Sequence, residues 1–167
     1  EFPNIALLIA AYNEKLHIES KVLNTNELDY PSEKLHVFWV TDGSNDGTPE
    51  LLSKSPKIKV FHQDERKGKT AAINRVLPLI DDPIIIFSDA NTMLNKEAVK
   101  EIAHHFEDPG VGCVAGEKRI AREYSKTNTG LGEGTYWRYE SWIKKLESDV
   151  NSTLGAAGEL FAIRKGM

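Results

Sequence analysis

Apolar residues along this chain fall into short runs separated by polar turns. The uninterrupted run Ile5–Ala11 has the length and composition of a buried strand. Beyond it, Leu16, Ile18, Val22 and Leu23 form a rough helical stripe, with Asn13 placed to cap the helix and Tyr30-Pro31 to end it. Leu35–Thr41, rich in β-branched and aromatic residues, predicts a second strand. Thr48-Pro49-Glu50 predicts a short helix with Thr48 as cap and Pro49 in its first turn. A third strand follows at Lys57–His62, then a helix over Thr70–Leu77 that closes near Pro78. Ile84–Ser88 is a fourth, very apolar strand. Ala98, Ile102, Ala103 and Phe106 mark the core side of a helix that stops at Pro109-Gly110. Val111–Ala115 predicts a fifth strand, Thr135–Leu146 a helix over the sheet, and Leu160–Ile163 a last strand.

Strands alternating with helices imply right-handed crossovers, and hence an α/β fold: a Rossmann-like, mainly parallel central sheet with helices on both faces. Ligands of such sheets bind beyond the carboxyl ends of the strands. Four predicted strand ends carry polar clusters there: Tyr12-Asn13-Glu14, Asp42 to Gly47, Gly68-Lys69-Thr70 and Ser88-Asp89-Ala90-Asn91. Carboxylates, a lysine and backbone-exposing glycines around one crevice are suited to a metal-bound, phosphorylated nucleotide.

Composition narrows the classes. With 25 acidic against 21 basic residues the net charge is -4, which argues against a nucleic-acid binder. One cysteine, Cys113, excludes a disulfide scaffold and fits a reducing, cytoplasmic setting. The longest apolar run, Ile5 to Tyr12, is far short of the roughly 20 residues that cross a bilayer. The 167 residues are read as a single domain that begins at Glu1-Phe2-Pro3 and stops abruptly at Met167, a piece of something longer.

Each cluster alone has a local alternative. Asp42 to Gly47 has the composition of an ordinary turn and cap. It also places Asp42, Ser44, Asp46 and Gly47 at the first, third, fifth and sixth positions of a calcium loop, but the twelfth position is Ser53. Gly68-Lys69-Thr70 imitates the end of a Walker A loop, with Gln63 where its first glycine belongs. His62, His104 and His105 show no ligand spacing with Cys113. Asn151-Ser152-Thr153 is a chance sequon in a chain of this character. Tyr136, Trp137, Tyr139 and Trp142 have core spacing, with a sugar face as the alternative role.

Taken together, the clusters are similar to the motifs of the inverting family 2 glycosyltransferases, which include cellulose, chitin and hyaluronan synthases and many bacterial polysaccharide enzymes. Ile9-Ala10-Ala11-Tyr12-Asn13-Glu14 resembles the family's Pro-x-Tyr-Asn-Glu strand end. Val40 to Thr48 is similar to its Asp-Asp-Gly-Ser-x-Asp-Gly-Thr. Lys67 to Asn74 resembles its Gly-Lys-x-x-Ala-x-Asn helix start, and Phe87 to Thr92 its Asp-x-Asp region. Gly155 to Gly158, followed by Ala162-Ile163-Arg164, resembles the small-residue stretch and strand near the acceptor.

The resemblance implies a GT-A fold, a nucleotide-sugar donor (most simply a UDP-sugar) and single-displacement inversion onto a glycan or lipid acceptor. Carried onto this chain, it puts Ala11, Tyr12 and Glu14 at the nucleoside, Asp42 on the N3–H of uracil and Lys69 near the nucleotide. Asp89 would meet ribose and metal, Asn91 the metal, and Gly158 the acceptor side. Three positions depart from the pattern: Ala10 for proline, Thr41 for the first Asp of the pair, and Asn91 for the last Asp. An amide is a weaker ligand for a hard cation than a carboxylate, so Mg²⁺ or Mn²⁺ is expected only together with nucleotide. The family's acidic base belongs downstream of Arg164, beyond Met167, and Glu159 does not fit its motif. The fragment is therefore expected to bind donor without transferring sugar, and to meet the cytoplasmic face of a membrane only through segments outside it. The competing readings are a P-loop-like NTPase and a non-catalytic nucleotide-binding or interaction domain on the same fold.

Overall fold

The structure, a computed structural model, describes residues 1–117 and 159–166. The expected helix Thr135–Leu146, the four aromatic residues on it, the sequon at Asn151 and the Gly155 to Gly158 stretch lie outside the described residues.

The elements run in the order β1 (Ile5–Ala11), α1 (Lys15–Asn26), β2 (Leu35–Asp42), α2 (Thr48–Leu52), β3 (Ile58–Gln63), α3 (Lys69–Val76), β4 (Ile84–Asp89), α4 (Ala98–His105), β5 (Cys113–Ala115) and β6 (Leu160–Arg164). A 3-10 turn at Leu77–Leu79 continues α3 past Pro78. The strands form one sheet in the order β3-β2-β1-β4-β6-β5. The first four are mutually parallel, while β6 runs antiparallel to both its neighbours. The mainly parallel α/β sheet expected from the sequence is thus present, with one reversed strand.

Alternation along the strands divides the interior into two layers. Ile5, Leu7, Ile9 and Ala11 of β1, with Trp39, Ile84 and Ile86, pack against Ile18, Leu52, Val99 and Ile102 of α1, α2 and α4, and against Phe106 just past α4. Ala6, Leu8, Phe38, Val40, Ile85 and Phe87 point the other way, onto Ala72 and Val76 of α3 and Ile80. Both faces are therefore covered, as near-continuous apolar strands require. Each fully buried leucine or isoleucine contributes about 1.5–3 kcal/mol, so the strand centres dominate stability.

Local expectations change in three places. Leu16 and Leu23 are 91% and 65% exposed, and the inward face of α1 is instead Ile18, Lys21, Val22 and Thr25. The helical period was correct but its phase was not, because Lys21 occupies a core-facing position that a polarity count assigns to solvent. Asn13 does not cap α1; it lies one residue too early, with φ of 53°, and the helix starts at Lys15. Thr48 is the first residue of α2 rather than its cap. Gly47 holds that position at φ of 93°, a conformation glycine adopts without Cβ strain.

Register sets the site. Ala11 lies beside Thr41, Thr41 beside His62, Asp42 beside Gln63 and Ala10 beside Asp89. The ends of all four parallel strands are therefore level. Strand order reverses between β1 and β4, which makes their shared end the switch point where ligands bind in such folds.

Candidate functional site

The turns after β1 and β2 are tied together by side chains accepting backbone amides. Asn13 N–H donates to Ser44 Oγ at 3.1 Å, Glu14 N–H to Thr48 Oγ1 at 3.1 Å, and Lys15 N–H to Asp46 Oδ2 at 3.0 Å. In the reverse direction Asn45 N–H donates to Asn13 Oδ1 at 3.0 Å. Most of the polar side chains from Asp42 to Thr48 are therefore engaged inside the protein. Ser44, Asp46 and Thr48 hold the β1–α1 turn, their oxygens accepting amide protons, as an ordinary turn and cap do. Burial pushes the Asp46 carboxyl up, but hydrogen bonds from Thr48 and from the Lys15 and Thr48 amides outweigh it and leave it below its ordinary value.

Asp42 differs from these. The residue is 4% exposed, and Oδ2 accepts from Lys67 N–H at 2.7 Å and Gly68 N–H at 2.6 Å. Oδ1 is buried and accepts no hydrogen bond from the described residues, with Arg75 Nη1 standing 3.9 Å away. Arg75 is oriented by Gln63 Oε1 and by the Thr41 carbonyl at 3.3 Å. A buried carboxylate oxygen without a donor is uncommon and costly.

The same contact removes the Walker A reading. The Lys67 and Gly68 amides, which a phosphate cradle aims at its ligand, are both bound to Asp42. Lys69 Nζ pairs with the Asp89 carboxylate. Gly68 keeps a turn-specific φ of 94° before α3, but the loop wraps a carboxylate of its own chain.

At the end of β4, Asp89 projects into the crevice with its side chain 29% exposed, and Asn91 is exposed two residues on. Thr92 N–H returns to the Asp89 carbonyl at 3.2 Å, closing a turn around Ala90, which is buried. Beneath this turn lies Lys21, whose Nζ donates to Ser88 Oγ at 2.9 Å and to the Thr92 carbonyl. Burial lowers its pKa to about 8, with the Asp89 charge opposing the shift. Sequence reasoning missed Lys21. The signal was a lysine at an inward i, i+3, i+7 position, with Ile18 and Thr25.

The other expected residues are placed as follows. Ala11 is 6% exposed with its side chain in the core, so only its backbone borders the crevice. The Tyr12 ring is 41% exposed, and the Arg66 guanidinium lies over it at 3.9 Å from the centroid. Glu14 sits at the start of α1, its carboxylate 3.8 Å from His17. Thr41 Oγ1 bonds His62 Nδ1 at 2.6 Å, and His62 Nε2 meets Asp64 at 3.0 Å, so the position that departs from the Asp-Asp pattern is satisfied within the sheet. His104 pairs with Glu107 at 3.2 Å on the surface. Gly158 lies outside the described residues. Tyr12, Asp42, Lys69 and Asp89 therefore meet at the level ends of adjacent strands.

Among the described residues no three His, Cys, Asp or Glu side chains converge as a self-sufficient metal site. One carboxylate and one amide oxygen, from Asp89 and Asn91, suit a hard divalent cation that takes its remaining ligands from a diphosphate.

This sheet, with its switch point and acidic strand ends, has the architecture of a GT-A domain. Its likeness to a mannosyltransferase from Pyrobaculum calidifontis solved with GDP-Man and Mn²⁺ has a TM-score of 0.82 at 27% identity, covering 99% of this chain and 45% of that one. Residues 6–166 match the family described as glycosyl transferase family 2, and the chain belongs to that family. A beta-monoglucosyldiacylglycerol synthase of Trichormus variabilis is 30% identical over 164 residues, 95% of this chain and 34% of that protein. A poly-beta-1,6-N-acetyl-D-glucosamine synthase of Staphylococcus aureus is 32% identical over 129 residues, 75% of this chain and 31% of that protein. The chain thus spans about a third of the curated relatives it matches. Staphylococcus aureus TarS, solved with UDP-GlcNAc, shares the fold at a TM-score of 0.62 and 19% identity. Among the described residues no helix is long and apolar enough to cross a membrane.

Proposed function

We propose that this chain is the donor-binding portion of an enzyme that transfers a sugar from a UDP-sugar to a glycan or lipid acceptor with inversion. The observation that carries this reading is the divided carboxylate of Asp42: Oδ2 is bound by two amides, while Oδ1 is held in place without a donor. An acceptor fixed in this way selects a base that presents an N–H, such as N3–H of uracil. Arg75 Nη1 stands 3.9 Å from Asp42 Oδ1, and an ionised carboxylate presents acceptors only. Tyr12 supplies aromatic surface beside it, and the Ala11 backbone and Glu14 border the nucleoside.

Lys69 and Asp89 form the other half of the site. Lys69 exchanges its bond to Asp89 for the donor diphosphate, which frees the Asp89 carboxylate for ribose and cation. Asp89 and Asn91 hold Mg²⁺ or Mn²⁺ together with the nucleotide, and the cation neutralises charge on the departing diphosphate. Gly158 belongs to the acceptor side. The general base that takes the acceptor proton is assigned to a part of the enzyme outside this chain, so the chain alone binds donor without turnover. We infer that the site faces the cytoplasmic side of a membrane; the net charge of -4 argues against nucleic acid as a partner.

Calorimetry with UDP and Mn²⁺ tests the proposal. Saturable heat whose affinity weakens when Mn²⁺ is withheld is the expected result, and absence of heat at millimolar UDP with Mn²⁺ overturns it. Guanine also presents N–H donors, and the Pyrobaculum mannosyltransferase was solved with GDP-Man. Tighter binding of GDP than UDP would therefore keep the role of Asp42 and replace the base.

A further inference from the structure

Lys21 is fully buried on the inward face of α1. Desolvating an ammonium is costly, and a methionine would fill the same space without that cost, so the lysine has to supply something through its hydrogen bonds. Its two acceptors are Ser88 Oγ and the Thr92 carbonyl. These residues flank Asp89-Ala90-Asn91 on either side. One turn further along the same helix face, Asn24 Nδ2 donates to the Leu94 carbonyl at 2.7 Å, and its Oδ1 accepts from Leu94 N–H at 2.8 Å. The segment from Ser88 to Leu94 leaves the sheet at Asp89 and enters no helix until Ala98. The side chains of α1 hold it along its length.

We propose that Lys21, assisted by Asn24, is the positioning residue of the donor site: it clamps the Asp89–Asn91 turn from beneath so that carboxylate and amide are preset toward a nucleotide-bound cation. The inference rests on the donor-binding reading above. Because Asn91 is a weak ligand, little binding energy is available to order a loose turn at the moment of binding. A turn already ordered by α1 removes that cost.

Two measurements on Lys21→Met decide the matter. In the ligand-free protein, amide exchange from Asp89 to Leu94 should accelerate by about tenfold, the scale of losing a hydrogen bond to a charged group, while β1 and β2 stay protected. The gain in UDP affinity produced by Mn²⁺ should fall by about the same factor, with metal-free UDP affinity within about twofold of wild type. An unchanged Mn²⁺-dependent gain with faster exchange makes Lys21 merely structural and overturns the proposal. Unchanged exchange overturns it as well. Should Lys21→Met fail to fold, Ser88→Ala removes one of the two anchors and should move both readouts in the same direction by about threefold. If wild-type protein binds no UDP with Mn²⁺, the donor-binding reading fails, and the exchange measurement alone decides whether Lys21 holds the turn.

Discussion

The Asp46 carboxylate accepts the Lys15 amide through Oδ2 and the Thr48 amide through Oδ1, each at 3.0 Å. Lys15 and Thr48 are the first residues of α1 and α2, so one side chain satisfies an unpaired amide at the start of two helices. Asp46→Ala removes both bonds and should destabilise the chain by about 1–2 kcal/mol, the usual scale of a lost cap. Asp46→Asn keeps one acceptor oxygen and should lose about half as much. Denaturant midpoints check both, and an Asp46→Ala midpoint equal to wild type refutes the double cap.

Acid should weaken the same contact. The folded-state pKa of Asp46 lies below its ordinary value of 3.8. The unfolded chain therefore binds the proton more readily, and the contribution to stability is fully present above that value. It is lost as pH falls through the lower, folded-state pKa. The stability gap between wild type and Asp46→Asn should narrow in strongly acidic buffer. A gap independent of pH would show that the ionised carboxylate is not the acceptor.

Asp42 carries two separable duties. Asp42→Ala leaves the Lys67 and Gly68 amides without their acceptor and should both destabilise the loop and abolish UDP binding. Asp42→Asn can still accept those amides through its one oxygen, but it presents an NH₂ where Oδ1 stood. Near-native melting with at least a tenfold loss of UDP affinity is expected. Undiminished affinity in Asp42→Asn would remove Asp42 from base recognition.

Gly43 has φ of 71°, and a Cβ there would lie 2.7 Å from Arg66 Cβ. Gly43→Ala therefore combines backbone strain with a collision and should cost about 1–3 kcal/mol. Because Arg66 lies over Tyr12, the substitution should also disturb the nucleoside face. Thermal melts and UDP titration of Gly43→Ala read the two effects separately.

Sequence patterning placed the strands well because a parallel strand covered on both faces must be apolar almost throughout, and Ile5–Ala11 and Ile84–Ser88 read that way directly. The polar clusters at strand ends were equally visible: sheet register sets Ala11, Asp42 and Asp89 at one end of the parallel strands, and Lys69 pairs with Asp89 there. The phase of α1 was not legible. Leu16 and Leu23 look like core, while Lys21 takes the inward place through partners 67 and 71 residues away.

By itself, then, the sequence determined the α/β alternation, the chain order of the motifs and the family, all of which follow from local periodicity and residue identity. Only the tertiary structure decided which polar atoms the fold itself engages. Ser44, Asp46, Thr48 and Asp42 Oδ2 accept backbone amides, Lys21 bonds to both sides of the β4 turn, and Asp42 Oδ1 is buried without a donor among the described residues. Except for the short bond from Asp46 to Thr48, these hydrogen bonds join residues more than twenty positions apart. They exist only because strand register sets the loop ends side by side, and no local pattern reports that.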